Sequence, residues 1–192
     1  MKINDWWELI ERGRRAVGDR ADDRDLPDDP LPEALTDVIA TLERREIIDF
    51  YLKHIEVTDS AYRRPLWNAA YLIEGGCGDD GFMDFRDGLA LLGRDTFTQA
   101  VADPDCLAGL PVVVRMSRGE SGWVGFESLS RLVQDAYQKV QGETDSLDVA
   151  LQAAVPDMAR PDKATGDDWD VEDDDEMRRH LPRLAALFLE ST

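Results

Sequence analysis

A chain of 192 residues with 43% hydrophobic content is long enough for one domain with a real core. Its 41 acidic against 22 basic residues give a formal charge of −19, which argues against direct binding of a nucleic-acid backbone or an anionic membrane surface. Cys77 and Cys106 have no C-x-x-C spacing, so neither a disulfide framework nor a cysteine zinc site is expected.

The N-terminus, MKINDWWELIERGRR, has no apolar signal-peptide core, and no apolar run reaches the roughly 18 residues of a membrane span, so a cytoplasmic protein is expected. Asn4 is a candidate N-cap for a first helix carrying Ile3, Trp6, Trp7, Ile10 and Val17 on one face, with Gly18 closing it. The paired tryptophans fit that stripe as core anchors. Residues 19–30, DRADDRDLPDDP, read as a loop. A second helix starts near Pro32 with Leu31, Leu35, Val38, Ile39 and Leu42 as its apolar set. Ile47, Phe50, Tyr51 and Ile55 continue the period, as a separate helix after a break near Arg44-Arg45 or as one bent helix. His54 reads as a helix residue rather than a base, and Thr58-Asp59-Ser60 as a cap before Ala61.

The densest polar group between apolar runs lies in Trp67–Leu92. Trp67, Ala70 and Tyr71 repeat at helical spacing after Pro65, and Gly75-Gly76 stops that helix. Asp79 or Asp80 is placed to cap the next helix, on which Phe82, Phe85, Leu89 and Leu92 form one stripe. Asp79, Asp80 and Asp84 are candidate ligands for a divalent cation through carboxylate oxygens, although their spacing is not that of an EF-hand loop. The plainer reading is a cap, a dipole-stabilising acid and a solvated one. Cys77 in the same turn is a candidate nucleophile only if its thiolate is stabilised, and the neighbouring acids oppose that. Tyr62, Trp67, Tyr71, Gly75, Gly76, Cys77, Phe82 and Arg86 form the candidate ligand-binding set around this elbow.

Asp95 is expected to cap a short helix bearing Phe97 and Val101, and Asp103-Pro104 is another start signal. PVVVRM at 111–116 reads as a short strand from its β-branched content, followed by the glycine-rich SRGESGWVG; the 109–125 stretch is a connecting loop, a buried strap or a lid. A helix over 126–141 carries Phe126, Leu129, Val133, Ala136, Tyr137 and Val140, with Gly142 at its end, and Leu147 to Val155 add a short one before Pro156. Residues 157–176 read as an acidic linker; DDWDVEDDDE has eight acids in ten residues, and Trp169 is expected to tuck onto the body. A last helix, restarted or kinked at Pro182, carries Leu181, Leu184, Ala185, Phe188 and Leu189 and should dock through that face.

No internal repeat, P-loop, GxGxxG, HExxH or GxSxG motif is present, and His54 and His180 stand far apart in the sequence. The run AYRRPLWNAAYLIEGGCGDDGFMDFRDGLALLGRDTFTQAVADPDCLA resembles the signature of an uncharacterised bacterial family, number 4240 among the domains of unknown function. DWWELI, ERREIIDF, GDDWD and HLPRLAALF extend the resemblance over nearly the whole chain. The resemblance implies a mainly helical bacterial domain, in a family where some members adjoin a WGR-type module linked to nucleic acids; it supplies no catalytic residues.

The expected fold is all-α, a single-domain bundle of about seven or eight helices over residues 1–192, with at most a short strand near 111–116. The leading functional expectation is a non-catalytic binding or regulatory module that recognises a protein partner through the Gly75–Phe82 elbow. The alternative is a Mg-type metal-dependent enzyme acting on a phosphorylated or other small substrate, with Asp79, Asp80 and Asp84 joined by an acid such as Glu46 or Glu74. An acidic mimic of nucleic acid is the third.

Overall fold

The computed structural model describes residues 1–23, 29–127 and 129–189; part of the 19–30 loop reading falls outside them. Among the described residues the protein is all-α, with eleven α-helices, three 3-10 helices and no strand. Backbone packing groups the chain into two compact units, one from Met1–Ala21, Asp28–Ser60 and Ser128–Pro161, the other from Asp22–Pro27, Ala61–Glu127 and Asp162–Thr192.

The first unit holds α1 (Ile3–Val17), α2 (Leu31–Ile39), α3 (Arg44–Ser60), α8 (Leu129–Gln141) and α9 (Asp145–Ala154). Trp6 and Ile10 of α1, Leu31, Leu35 and Ile39 of α2, and Ile47 and Phe50 of α3 are buried at their helical spacings. Trp6 stacks on Phe50 at 5.6 Å and meets Trp7 edge-on at 4.7 Å, so both tryptophans anchor the core. His54 is buried beside Trp6. The chain breaks before Arg44, giving two helices rather than one bent one. Thr58 and Ser60 bond carbonyls one turn back inside α3, so 58–60 ends a helix instead of capping the next. Asn4 likewise lies inside α1, whose N-cap is Lys2. Arg160 grips Asp59 with two bonds, at 2.8 and 2.9 Å.

The second unit holds α4 (Arg64–Glu74), α5 (Asp79–Leu91), α6 (Arg94–Ala102), α7 (Pro111–Met116), α10 (Asp174–His180) and α11 (Pro182–Phe188), with a 3-10 helix at Pro104–Gly109. PVVVRM is therefore helix, not strand. Val112 and Val113 are buried side by side, where a strand would alternate them, and Pro111 starts the turn with its ring. Tertiary burial overrides the β-preference of valine here. Phe126 is not helical; its N–H donates to the Asp84 carbonyl of α5 at 2.9 Å. This segment reaches α5 at Gly88, where a Cβ would stand 1.9 Å from the Val124 oxygen.

Helix starts in this unit rely on backbone more than expected. Gly78 and Gly93 are the N-caps of α5 and α6, with no side-chain cap; Asp79, Asp80 and Asp95 sit in the first turns. There they still favour the helix dipole. The last helix is divided at Pro182, which with α7 helps raise the count above seven or eight. Asp173 caps α10 by accepting from the N–H groups of Asp175 and Glu176. Buried Asp105 receives the N–H groups of Arg183 and Leu184 and the Arg183 Nε, all at 2.9–3.0 Å, which fixes α11. Thr165 exchanges backbone bonds with Tyr62 and Arg64 at 3.1 and 2.7 Å, and Trp169 stacks on His180 at 4.2 Å. The 162–173 stretch is thus held along this unit.

Candidate functional site

The α4–α5 elbow forms as its glycines dictate. Gly75 takes the left-handed conformation, φ 67°, and both it and Gly76 donate to the Tyr71 carbonyl. The Trp67 indole donates to the Cys77 carbonyl at 2.8 Å and ties the turn back onto α4. Trp67 lies flat on Phe82, 4.9 Å between centroids, with Tyr62 at 5.8 Å. The Arg86 guanidinium lies 4.8 Å over Tyr62 and 5.1 Å over Phe82, and its Nε donates to the Phe82 carbonyl. Phe82 is fully buried and Arg86 only 7% exposed. Tyr62, Trp67, Phe82 and Arg86 are therefore brought together, and they satisfy one another as an internal aromatic–cation stack.

The acids of the elbow have different surroundings. Asp79 and Asp80 are exposed, while Asp84 is half-buried. Burial raises the pKa of Asp84 first, then the charges of Asp87, Glu127 and Asp80. Among the described residues, no three His, Cys, Asp or Glu side chains are grouped so as to hold a metal ion. The Cys77 thiol is pushed up to about 12 by burial and then by Glu74 and Asp84, so it stays protonated and a poor nucleophile at neutral pH. Gly76 is exposed beside it.

On the other side of the α4 C-terminus a cleft of about 490 Å³ opens. Tyr71, Glu74 and Gly75 line it from α4, Met116 from the end of α7, and Val171 and Phe188 from the C-terminal segments. Glu74 is its notable group. Burial raises this carboxyl to about 7, with a further rise from Asp84 against a lowering hydrogen bond from the Trp123 side chain. Glu74 Oε1 is buried without a hydrogen-bond partner. The Tyr71 hydroxyl bonds the Glu172 carboxylate, which together with Asp170 raises the Tyr71 pKa.

Sequence spacing located Tyr71 and Gly75 of this cleft and marked Glu74 as an accessory acid. It did not bring in Met116, Val171 or Phe188. Their signal is tertiary: Gly88 lets the 124–126 backbone cross α5, and the Asp105 bonds fix α11.

Among the described residues no helix is long and apolar enough to cross a membrane. No curated protein and no solved structure matches the chain. The model of a family described as a protein of unknown function, DUF4240, matches residues 1–139. That span includes α4, the elbow and Met116, whereas Val171 and Phe188 of the cleft lie beyond it. With the match covering more than half of its length, this chain belongs to the DUF4240 family.

Proposed function

We propose that the chain is a non-catalytic binding or regulatory module that recognises a protein partner, with the cleft beside the α4 C-terminus as its recognition site. The observation that carries this reading is the cleft itself. It has room for a side chain or two, walls of Met116, Val171 and Phe188, and a few polar groups to set orientation. The adjoining Cys77 thiol, held neutral, offers no nucleophile. The module works in a bacterial cytoplasm, and its partner is a protein rather than a nucleic acid or a membrane; the −19 charge supports that choice.

The raised pKa of Glu74 favours a second reading, an enzyme in which this carboxyl takes and returns a proton near neutral pH.

A random peptide library panned on the full chain, with counter-selection on Val171→Trp, tests the binding reading. The expected result is a family of related peptides that bind the wild type and lose at least about tenfold in affinity on the variant, whose added bulk fills the cleft. Equal binding to both proteins, or no enrichment, would overturn it.

A further inference from the structure

Resting on that reading of the cleft, we infer that its occupant is an arginine side chain of the partner protein, with its stem along Met116, Val171 and Phe188 and its guanidinium on the carboxyl of Glu74. The chemistry of the lining selects this ligand. Among the described residues, the only ionisable residue lining the cleft apart from Glu74 is Tyr71, and its hydroxyl is engaged with Glu172. Glu74 has a buried oxygen with no hydrogen-bond partner, and the side chains that act on it are the Trp123 indole and a second acid, Asp84; neither is a cation. A carboxyl withdrawn from water with no positive partner among the described residues is a poor arrangement in a free protein and a good one in a complex that supplies the charge.

Arginine fits better than lysine on three counts. Its rigid fork directs a donor at the unpartnered Oε1 while the Trp123 bond to the carboxyl is kept. A guanidinium is more weakly hydrated than an ammonium, so it enters a half-apolar cleft at less desolvation cost. Its flat face packs on aromatic rings, here Phe188 and Tyr71. Asp170 and Glu172, whose charges already act on Tyr71, add negative potential around the cleft.

The test is calorimetric titration of the full chain with a capped peptide carrying one central arginine, against the same peptide with citrulline, its neutral isostere, at pH 8 and pH 6. The groups facing Glu74 are Asp84 of α5, the Trp123 indole and the protonated Cys77 thiol. A carboxyl with a pKa of about 7 is about tenfold more ionised at pH 8 than at pH 6. The arginine peptide should therefore bind at least about tenfold tighter than the citrulline peptide at pH 8, and lose about tenfold at pH 6. Glu74→Gln should remove both the preference and the pH dependence. The comparison of the two peptides on the wild type stands even if that variant folds poorly. Equal binding of both peptides, abolished in Val171→Trp, would overturn the arginine assignment and leave the cleft reading in place. An arginine preference that persists in folded Glu74→Gln would overturn the assignment to this carboxyl. Binding of neither peptide would overturn the assignment, and the library experiment would then decide the cleft reading separately.

Discussion

Glu74 closes α4 immediately before the left-handed Gly75, and this position withdraws its carboxyl from water. A carboxyl whose folded pKa lies above its unfolded value opposes folding once the unfolded chain has released that proton. Its effect is absent below about 4.5, grows as pH rises toward about 7 and is complete above that. Glu74→Gln keeps the shape and an acceptor for Trp123 but carries no charge. We expect this variant to melt at a higher temperature than the wild type at pH 8 and at the same temperature near pH 4, followed by circular dichroism. A variant less stable at pH 8 would mean that the carboxylate is satisfied in the free protein. The same substitution is expected to weaken arginine binding, so stability and recognition should move in opposite directions. Movement in opposite directions would mark a group kept for binding rather than for folding.

At the scale of elements, Gly88 decides how the 117–127 segment meets α5. An alanine methyl would meet the Val124 and Gly125 backbone at 1.9–2.7 Å, atoms that cannot swing aside. Gly88→Ala should cost about 3 kcal/mol in denaturant unfolding, at the upper end for overpacking. Gly109→Ala, with open space around its Cβ, should stay within about 0.5 kcal/mol. Equal effects would mean that the crossing is loose. Such contacts mark where sequence reading stops. The α4–Gly75–α5 elbow was legible because its signals are local: a proline in the first turn, apolar spacings of three and four, and a glycine at the stop. The sequence at 111–116 reads as strand because valine's intrinsic preference is its only local signal, and burial of Val112 and Val113 together outweighs it. Phe126 has the right spacing for α8, yet its backbone is bonded to Asp84. The cleft was only partly legible because Tyr71 and Val171 stand a hundred residues apart, and no periodicity links them.

For the whole molecule the dominant property is charge. An excess of 19 negative charges repels itself in the compact state, and added salt should relieve that repulsion. With no three candidate ligands grouped among the described residues, Mg²⁺, Mn²⁺ and Ca²⁺ should raise the melting temperature of chelator-treated protein by equal amounts. A saturable rise for one ion alone, lost in Asp80→Asn, would instead favour a specific site at Asp79, Asp80 and Asp84. The family match stops at residue 139, so α4 and Met116 come from the matched region and Val171 and Phe188 from outside it.

The two units are interleaved along the chain, and this has a consequence for synthesis. The first unit needs Ser128–Pro161 to join α1, α2 and α3, yet the ribosome must first make the whole of Ala61–Glu127. At roughly 5–20 residues per second, that interval lasts roughly 3–13 s. Throughout it, α1, α2 and α3 lack the Leu132, Val133 and Tyr137 side chains that complete their core. Slowing translation within codons 61–127 should lengthen the exposure of α1, α2 and α3 to proteases.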